Sequence, residues 1–191
     1  MYGMIDSIKL SWSENEMIIR KAKIQDIDSI TKIYDEICDA QDEGKLAVSW
    51  IKGIYPTEDI AMAALKRDDL FVIEEDSKII GTGIINQKQM EAYAGADWRF
   101  PAKDQEVMVL HTLAISPSVG RKGYGSAFVQ YYEDYARENG CHYLRMDTNE
   151  INKTARSLYK KLGYEEIDMV PCDFNGIKGF HMVLLEKYIG K

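Results

Sequence analysis

One stretch of the chain, VMVLHTLAISPSVGRKGYGSAFVQYYEDYA, constrains the fold more than any other. It consists of an apolar segment, Val107–Ile115, a glycine-rich turn and a segment whose apolar residues recur at helical spacing. This pattern predicts a strand, a tight turn and a helix from about Gly123 to Glu138. Because the bare N–H groups at the start of such a helix attract anions, the sequence predicts a phosphate site at this turn.

The first part of the chain predicts short strands and amphipathic helices. A strand at Met17–Lys21 is followed by a helix with Asp26 as its cap, and a second helix covers about Glu58–Lys66. The segment LFVIEEDSKIIGTGIINQ is typical of an antiparallel hairpin, because two apolar runs flank a polar turn.

The last part predicts a strand at CHYLRMDT, a short helix capped by Asn152 and ended by Gly163, and two closing strands. The closing strands are expected at Tyr164–Ile167 and Gly179–Lys187. The complete order is strand, two helices, three strands, helix, strand, helix and two strands. This order indicates a mixed α/β sheet rather than a strict βαβ alternation.

Residues 88–105 have no sustained period and read as a long insertion between two strands. Loops of this length are usually either disordered or functional. The aromatic residues Tyr93, Trp98 and Phe100 favour a partly ordered loop near a site, with a simple surface excursion as the alternative.

Length and charge limit the classes of protein that fit. A chain of 191 residues is expected to fold as a single domain, residues 1–191. Its formal net charge of −7 argues against a surface that binds nucleic acid or an anionic membrane. The three cysteines lack C-x-x-C spacing and the N-terminus lacks an apolar core, so we expect a soluble cytoplasmic protein.

Two nucleotide motifs fit the turn GRKGYGS poorly. A P-loop needs a Lys after its last Gly, whereas Gly125 is followed by Ser126. The dinucleotide fingerprint G-x-G-x-x-G accommodates Gly123 and Gly125, and Asp147 lies at a suitable distance to meet a ribose. Phe128, however, occupies the place of the third Gly, and too few residues follow for a complete dinucleotide fold.

The same turn resembles the acyl-CoA loop of the GNAT superfamily of N-acyltransferases, written [QR]-x-x-G-x-[GA]. Gly123 and Gly125 match its two small positions, while Gly120 stands where Gln or Arg is usual and Arg121 comes one position late. LHTLAISPS, NKTARSLYKKLGYEE and HMVLLEK resemble the family's central strand, later helix and last strand. The resemblance is specific over 105–167 and extends from 17 to the end, so that 1–16 reads as an N-terminal extension and 88–105 as an insertion.

The resemblance implies a fold, a co-substrate and a reaction. The fold is a mixed, mostly antiparallel sheet of about seven strands, splayed in the middle and flanked by about four helices. The reaction is acetyl transfer from acetyl-CoA to a primary amine, by direct attack in a ternary complex, in a protein that can form a homodimer. The expected cofactor-binding residues are Leu113, Ala114 and Ile115 on the strand, Arg121, Lys122, Gly123, Tyr124, Gly125 and Ser126 at the turn, and Asn152 and Ala155 on the later helix.

Acetylation of an alkyl amine needs two proton transfers. An amine of pKa about 10.4 must lose a proton, which costs about 4–5 kcal/mol at pH 7. The leaving thiolate must gain one, and a tyrosine can supply it. The resemblance assigns that role to Tyr159, although a tyrosine on the apolar side of a helix is also an ordinary core residue.

The sequence leaves the general base open among Glu106, His111, Asp147 and a water chain. Strict strand alternation would place Val107, Val109, His111 and Leu113 on one face and Met108, Leu110 and Thr112 on the other. His111 could therefore be an interior histidine, and Glu106 and Asp147 could be ordinary solvated carboxylates.

The sequence predicts no metal site, and it leaves the acceptor and the functional class open. The three histidines have no short spacing, so no metal site is expected. The acceptor could be a polyamine, an aminoglycoside or a protein N-terminus. The two other functional classes are a non-catalytic acyl-CoA sensor and a dinucleotide-binding oxidoreductase.

Overall fold

The computed structural model describes residues 7–12, 15–120 and 122–190. In this part of the chain, eight strands form one sheet and four α-helices lie against it. The strands are β1 (Ser7–Trp12), β2 (Asn15–Lys21), β3 (Leu70–Glu75), β4 (Lys78–Asn86), β5 (Val107–Ile115), β6 (Tyr143–Asn149), β7 (Glu165–Phe174) and β8 (Ile177–Tyr188). The helices are α1 (Ile27–Asp42), α2 (Glu58–Lys66), α3 (Tyr124–Glu138) and α4 (Lys153–Lys161).

The sheet is mixed and mostly antiparallel, as predicted. Its strand order is β1-β2-β3-β4-β5-β6-β8-β7. Among the described strands, β5 and β6 alone pair in parallel, and α3 connects them. The eighth strand is β1, which lies in the predicted N-terminal extension and pairs with β2.

The predicted splay in the middle of the sheet is confirmed. The parallel ladder joins Val107–Leu110 of β5 to Tyr143–Met146 of β6 and goes no further. Beyond it, β5 pairs only with β4 among the described strands, and Asp147–Asn149 of β6 pair only with β8. The two strands therefore diverge and leave a cleft that opens toward the start of α3.

A β-bulge in β5 overturns the predicted alternation of its side chains. The β4–β5 register shifts between Thr82 and Ile84, and Thr112 has a φ of 51°. As a result, Leu113 packs on the same core as Met108 and Leu110 rather than on the face of His111. A period-2 argument assumes an unbroken ladder, and one extra residue reverses every side chain beyond it.

The two faces of the sheet carry separate cores. On one face, α3 and α4 cover the strands with large buried side chains that include Phe128, Tyr132 and Tyr159. On the other face, α1 and α2 bury residues such as Ile30 and Ala61, as their apolar spacing predicts. No helix in the described ranges is long and apolar enough to span a bilayer.

Two local predictions need correction. Asp26 lies at the start of α1, but its carboxylate accepts hydrogen bonds from Arg20 and from the N–H of Lys23, both at 2.7 Å, and does not cap α1. The closing hairpin is longer than predicted, because β7 and β8 continue to a tight turn at Asn175-Gly176. Asn-Gly between apolar runs is a strong hairpin signal, so the sequence did carry this information.

Candidate active site

The cleft between β5 and β6 contains a cavity of about 70 Å³ that residues from both faces of the sheet line. Most ligand pockets have volumes of about 300–1,000 Å³, so this cavity suits the reacting end of a larger ligand. The splay thus opens a passage through the sheet. The lining residues are Val48, Trp50, Tyr55, Thr112, Leu113, Asp147, Thr148, Asn149, Asn152, Ala155, Tyr159, Phe174 and Phe180.

Asp147 supplies the carboxylate of the cavity. It is the first residue of β6 after the ladder with β5 ends. The Tyr93 hydroxyl donates a hydrogen bond to its Oδ2 atom at 2.7 Å. Burial raises the pKa of Asp147 to about 6, and the hydrogen bond from Tyr93 opposes this rise. Such a group is ionised at pH 7 yet basic enough to accept a proton near neutrality.

Tyr159 reaches the same cavity from α4. Its ring is buried and lies 6.2 Å from the ring of Tyr164. Burial raises its pKa well above the usual value, and the negative charge of Asp147 adds to the shift. The phenol therefore keeps its proton at physiological pH, so it can donate a hydrogen bond or a proton but cannot act as a base.

Thr112 marks the point where β5 leaves the regular ladder. A β-branched residue with φ of 51° is an outlier, and such residues persist only where surrounding contacts hold them. Here the Thr112 hydroxyl forms a hydrogen bond of 2.6 Å with the hydroxyl of Tyr55. The bulge turns this hydroxyl into the cavity and separates β5 from β6.

The predicted phosphate turn has the open backbone that such a site requires. Gly120 and Gly123 have φ of 73° and 84°, and a Cβ atom at either position would meet no other atom within 4 Å. Gly123 is the N-cap of α3, so the N–H groups of the first helical turn have no intrahelical partner. Gly125 instead faces α4, where a Cβ atom would lie 3.1 Å from Leu158.

Two side chains around this turn contact β3. The Lys122 ammonium lies 3.8 Å from the Glu75 carboxylate, and the hydroxyl of the buried Tyr124 donates a hydrogen bond to the same carboxylate at 2.8 Å. Both side chains are therefore directed toward β3, and Tyr124 offers the turn only its backbone. Arg121 lies outside the described residues. Ser126 is half-buried in the first turn of α3.

The other predicted cofactor residues lie along the cleft. Leu113, Asn152 and Ala155 line the cavity. The Asn152 side chain caps α4 by accepting a hydrogen bond of 3.1 Å from the N–H of Ala155. Ala114 is buried against the α1–α2 core, while Ile115 packs toward α3.

Two of the three candidate bases do not reach the cavity. Glu106 is exposed in a 3₁₀ turn at the opposite end of β5, about 23 Å along the strand from Leu113. His111 points to β4, where its Nε2 atom lies 3.2 Å from Asn86, and it does not line the cavity. Burial lowers the pKa of His111 to about 4, which makes it a weak base. Asp147 is the candidate that the fold brings together with Tyr159.

The insertion 88–105 is ordered and contributes to the site. Tyr93 is buried, and the Trp98 ring packs on it with centroids 5.3 Å apart. The Trp98 Nε1 atom donates to the carbonyl of Tyr93 at 3.0 Å, and its ring lies 4.0 Å from the guanidinium carbon of Arg145. The N–H of Arg99 donates to Glu186 at 2.7 Å. These contacts attach the loop to β6 and β8 and place the Tyr93 hydroxyl on Asp147.

Sequence reasoning missed the aromatic side of the cavity. Trp50 and Tyr55 come from a segment before α2 without periodicity, and nothing in the pattern singled them out. Phe174 and Phe180 flank the Asn175-Gly176 turn, whose hairpin signal would have placed them near each other.

A larger groove of about 720 Å³ lies elsewhere, between α1 and the β3–β4 turn. Some of its charged side chains already have partners. Arg20 binds Asp26 and Glu74, and Ser116 donates to Glu36. We therefore place the candidate site at the smaller cavity, where a carboxylate and a phenol face an open strand edge. Within the described ranges, no three His, Cys, Asp or Glu side chains come together as a metal site would require.

Comparisons with known proteins identify the family. The profile of the acetyltransferase (GNAT) family matches residues 30–164. The N-acetyltransferase YhfO of Bacillus subtilis, itself uncharacterized, is 37% identical over 62 residues, which are 32% of this chain and 42% of YhfO. The chain spans less than half the length of the curated relatives that it matches.

Solved structures share the fold. A GNAT-family acetyltransferase from Streptococcus agalactiae superimposes with a TM-score of 0.77 at 22% identity, covering 92% of this chain and 96% of its own. The yncA protein of Salmonella typhimurium, solved with its cofactor acetyl-CoA, gives a TM-score of 0.65 at 19% identity, with 92% and 95% covered. At these identities the likeness is one of fold.

Proposed function

The chain belongs to the GNAT family of acetyltransferases, and from this premise we propose that it transfers the acetyl group of acetyl-CoA to a primary amine. The observation that carries the proposal is the passage through the sheet, where Asp147 and Tyr159 line one cavity beside unpaired backbone of β5. Attack is direct, in a ternary complex of enzyme, acetyl-CoA and amine.

The residues of the cleft fit acetyl-CoA. Gly120 and Gly123 leave open space beside the bare N–H groups at the start of α3, which suits a pyrophosphate. The backbone of Leu113–Ile115, which pairs with no described strand on the β6 side, can pair with the amides of the pantetheine arm as an added strand would. Acetyl-CoA then supplies an activated acetyl group and a thiolate that can leave.

Asp147 acts as the general base in this proposal. It accepts a proton from the bound ammonium, which leaves the nitrogen free to attack, and it releases that proton to solvent. It accepts a second proton from nitrogen while the C–N bond forms. Its pKa of about 6 leaves it ionised and ready for this role at neutral pH.

Tyr159 acts as the general acid. It lines the same cavity as Leu113, beside which we place the sulfur, and its phenol donates a proton to the thiolate as the C–S bond breaks. Asp147 then returns its proton to Tyr159, so that the products are an amide and the free thiol of CoA. Its raised pKa ensures that Tyr159 is protonated before each turnover.

The cysteines of the described chain also support direct attack in this proposal. None of them lines the cavity, and burial raises the pKa of Cys172, which lies close enough to Asp147 to feel its charge. A protonated thiol is a poor nucleophile. An acetyl-cysteine intermediate therefore has no suitable residue here.

Thermal unfolding with ligands tests the proposal. At about 100 times its dissociation constant, acetyl-CoA should add about 2.7 kcal/mol, which corresponds to a rise in Tm of about 5–11 °C. CoA should act similarly, whereas NADH and ATP should have little effect. No rise with either acetyl-CoA or CoA would contradict the proposal. A rise without release of CoA thiol from any amine would contradict acetyl transfer and favour a non-catalytic acyl-CoA sensor.

A further inference from the structure

Aromatic rings wall the side of the cavity opposite α4. Trp50 and Tyr55 meet edge to face with centroids 6.0 Å apart. Tyr55 contacts Phe174 at 4.7 Å, and Phe174 contacts Phe180 at 4.9 Å. The four rings come from two separate segments, the loop before α2 and the β7–β8 hairpin, and they converge on one wall.

The same wall carries little charge. Among the described lining residues, Asp147 supplies the carboxylate and no Lys, Arg or His is present. One carboxylate can neutralise one ammonium group. A polyamine or an aminoglycoside carries several, and each additional charge taken into this apolar wall would lack a partner, which is costly.

The rim near this wall is also apolar. Ile51 and Ile54 lie on the same loop as Trp50 and Tyr55, and their side chains are 42% and 46% exposed. Ile54 reaches the β7–β8 turn, where a Cβ atom at Gly176 would lie 3.5 Å from it. A peptide N-terminus would have to bring its polar backbone past these two apolar side chains.

From this arrangement we infer that the acceptor is a monoamine whose amino group is carried on an aromatic stem. The inference rests on the proposed acetyl transfer and names the class of its second substrate. The ammonium group meets Asp147 at the centre of the passage, and the stem lies among Trp50, Tyr55, Phe174 and Phe180. Aromatic side chains favour such a stem because they bury a large apolar area and because pairs of rings attract each other in edge-to-face or offset-stacked arrangements.

A panel of amines tests this inference through the release of CoA thiol. The panel consists of 2-phenylethylamine, n-butylamine, spermidine, an aminoglycoside and a short peptide with a free N-terminus. We expect kcat/KM for 2-phenylethylamine to exceed that for n-butylamine by about tenfold. The reason is that each contact between aromatic rings contributes roughly 0.5–1.5 kcal/mol in addition to the burial of apolar area. The three polar acceptors should lie below n-butylamine.

Substitutions of the aromatic wall test whether its rings cause the preference for an aromatic amine. Phe180→Leu and Phe174→Leu should each reduce the ratio of kcat/KM between 2-phenylethylamine and n-butylamine by about threefold to tenfold. Phe100→Leu is the matched control, because its ring contacts Tyr188 outside the cavity and the ratio should not change. The Tm with acetyl-CoA shows that each variant is folded and binds the co-substrate.

Two results would overturn the inference, and they differ from the failure of the proposed function. Greater turnover of spermidine, the aminoglycoside or the peptide than of 2-phenylethylamine would refute the acceptor class while acetyl transfer stands. An unchanged ratio in both folded wall variants would refute the role of the rings. No thiol release with any acceptor would instead contradict the proposed function and, with it, the inference.

Discussion

At the scale of single residues, the candidate site depends on how one carboxylate is surrounded. Asp147 faces Tyr93 from the insertion, Tyr55 from the loop before α2, Tyr159 from α4 and Cys172 from β7. All four are neutral groups at pH 7, and no cation from the described part of the chain stabilises the ionised form. The Tyr93 hydrogen bond is what keeps the pKa of Asp147 from rising further.

Replacing Tyr93 by Phe should therefore move the pH profile. A hydrogen bond to a charged group is worth about 1.5–3 kcal/mol, and its loss should raise the pKa of Asp147 by roughly one to two pH units. The acidic limb of the kcat/KM profile should therefore shift to higher pH by the same one to two pH units. Activity at pH 6 would fall far more than activity at pH 8.

Tyr132→Phe provides the matched control for that experiment. Tyr132 is as buried as Tyr93, and its hydroxyl donates to backbone carbonyls of Met108 and Arg145 rather than to a carboxylate. It should lower stability without moving the acidic limb. An unmoved limb in Tyr93→Phe would show that Asp147 is not the group whose ionisation limits the rate.

Asp147→Asn should stabilise the fold while it removes activity. The pKa of Asp147 is about 6 in the folded state and about 3.8 when unfolded, so the folded state binds the proton more tightly. The free energy of unfolding of the unmodified protein therefore falls as the pH rises from about 4 to 6. Above pH 6 the total loss is constant at about 3 kcal/mol. Asn cannot ionise and can still accept the hydrogen bond from Tyr93.

Chemical denaturation across pH measures this effect. The stability gain of Asp147→Asn should be near zero at pH 4, grow through pH 6 and stay constant up to pH 8. Asp97→Asn, a substitution on the insertion away from the cavity, should show no such trend. A gain that is already present at pH 4, or a loss at pH 8, would contradict a raised pKa at Asp147.

The identities of these residues were only partly predictable from the sequence. The role of Tyr159 follows from the family resemblance, since its helical spacing alone is also typical of a core tyrosine, and Asp147 was one of three residues left open as the base. What separates Asp147 from Glu106 and His111 is its place on the cavity and a contact with Tyr93, which is 54 positions away. Local pattern contains no information on such a contact.

At the scale of elements, the two glycines that flank α3 allow the phosphate site to be tested by matched substitutions. Gly123 and Gly140 flank α3, both have positive φ, and both leave open space where a Cβ atom would lie. Alanine at either position should cost roughly 1–2 kcal/mol of stability through backbone strain. Only Gly123→Ala puts a methyl group where the pyrophosphate should approach, so it alone should weaken acetyl-CoA binding, by about tenfold or more.

Isothermal titration of both variants with acetyl-CoA decides the matter. Equal affinities in Gly123→Ala and Gly140→Ala would refute the phosphate site at this turn. Because the strain is matched, a difference between the two variants cannot be explained by stability alone.

Elements with clear periodicity were predicted well, and irregular ones were not. The second helix, Glu58–Lys66, and the hairpin over 70–86 follow directly from apolar spacing and turn residues. The bulge at Thr112 has no such signal, because a β-branched residue is unfavourable at positive φ and only the fold around it imposes that conformation. The bulge nevertheless determines which side chains enter the cavity.

At the scale of the whole molecule, the sheet consists of two parts with a weak connection. Strands β1–β5 form one part and β6–β8 the other, and the backbone ladder between them covers only Val107–Leu110 and Tyr143–Met146. In the cleft beyond this ladder, the β5 edge exposes backbone that no described strand pairs with on the β6 side. A ligand that hydrogen-bonds this edge should therefore join the two parts.

Hydrogen exchange with and without acetyl-CoA tests this view of the molecule. Amide protection reports hydrogen bonding and local opening, so the ligand should slow exchange in peptides that cover Leu113–Ile115 and the start of α3. NADH should not reproduce the effect, and Gly123→Ala should reduce it at a fixed acetyl-CoA concentration. Slower exchange confined to the start of α3 would contradict the proposed pairing of the pantetheine arm with β5, because phosphate binding alone would then account for the protection.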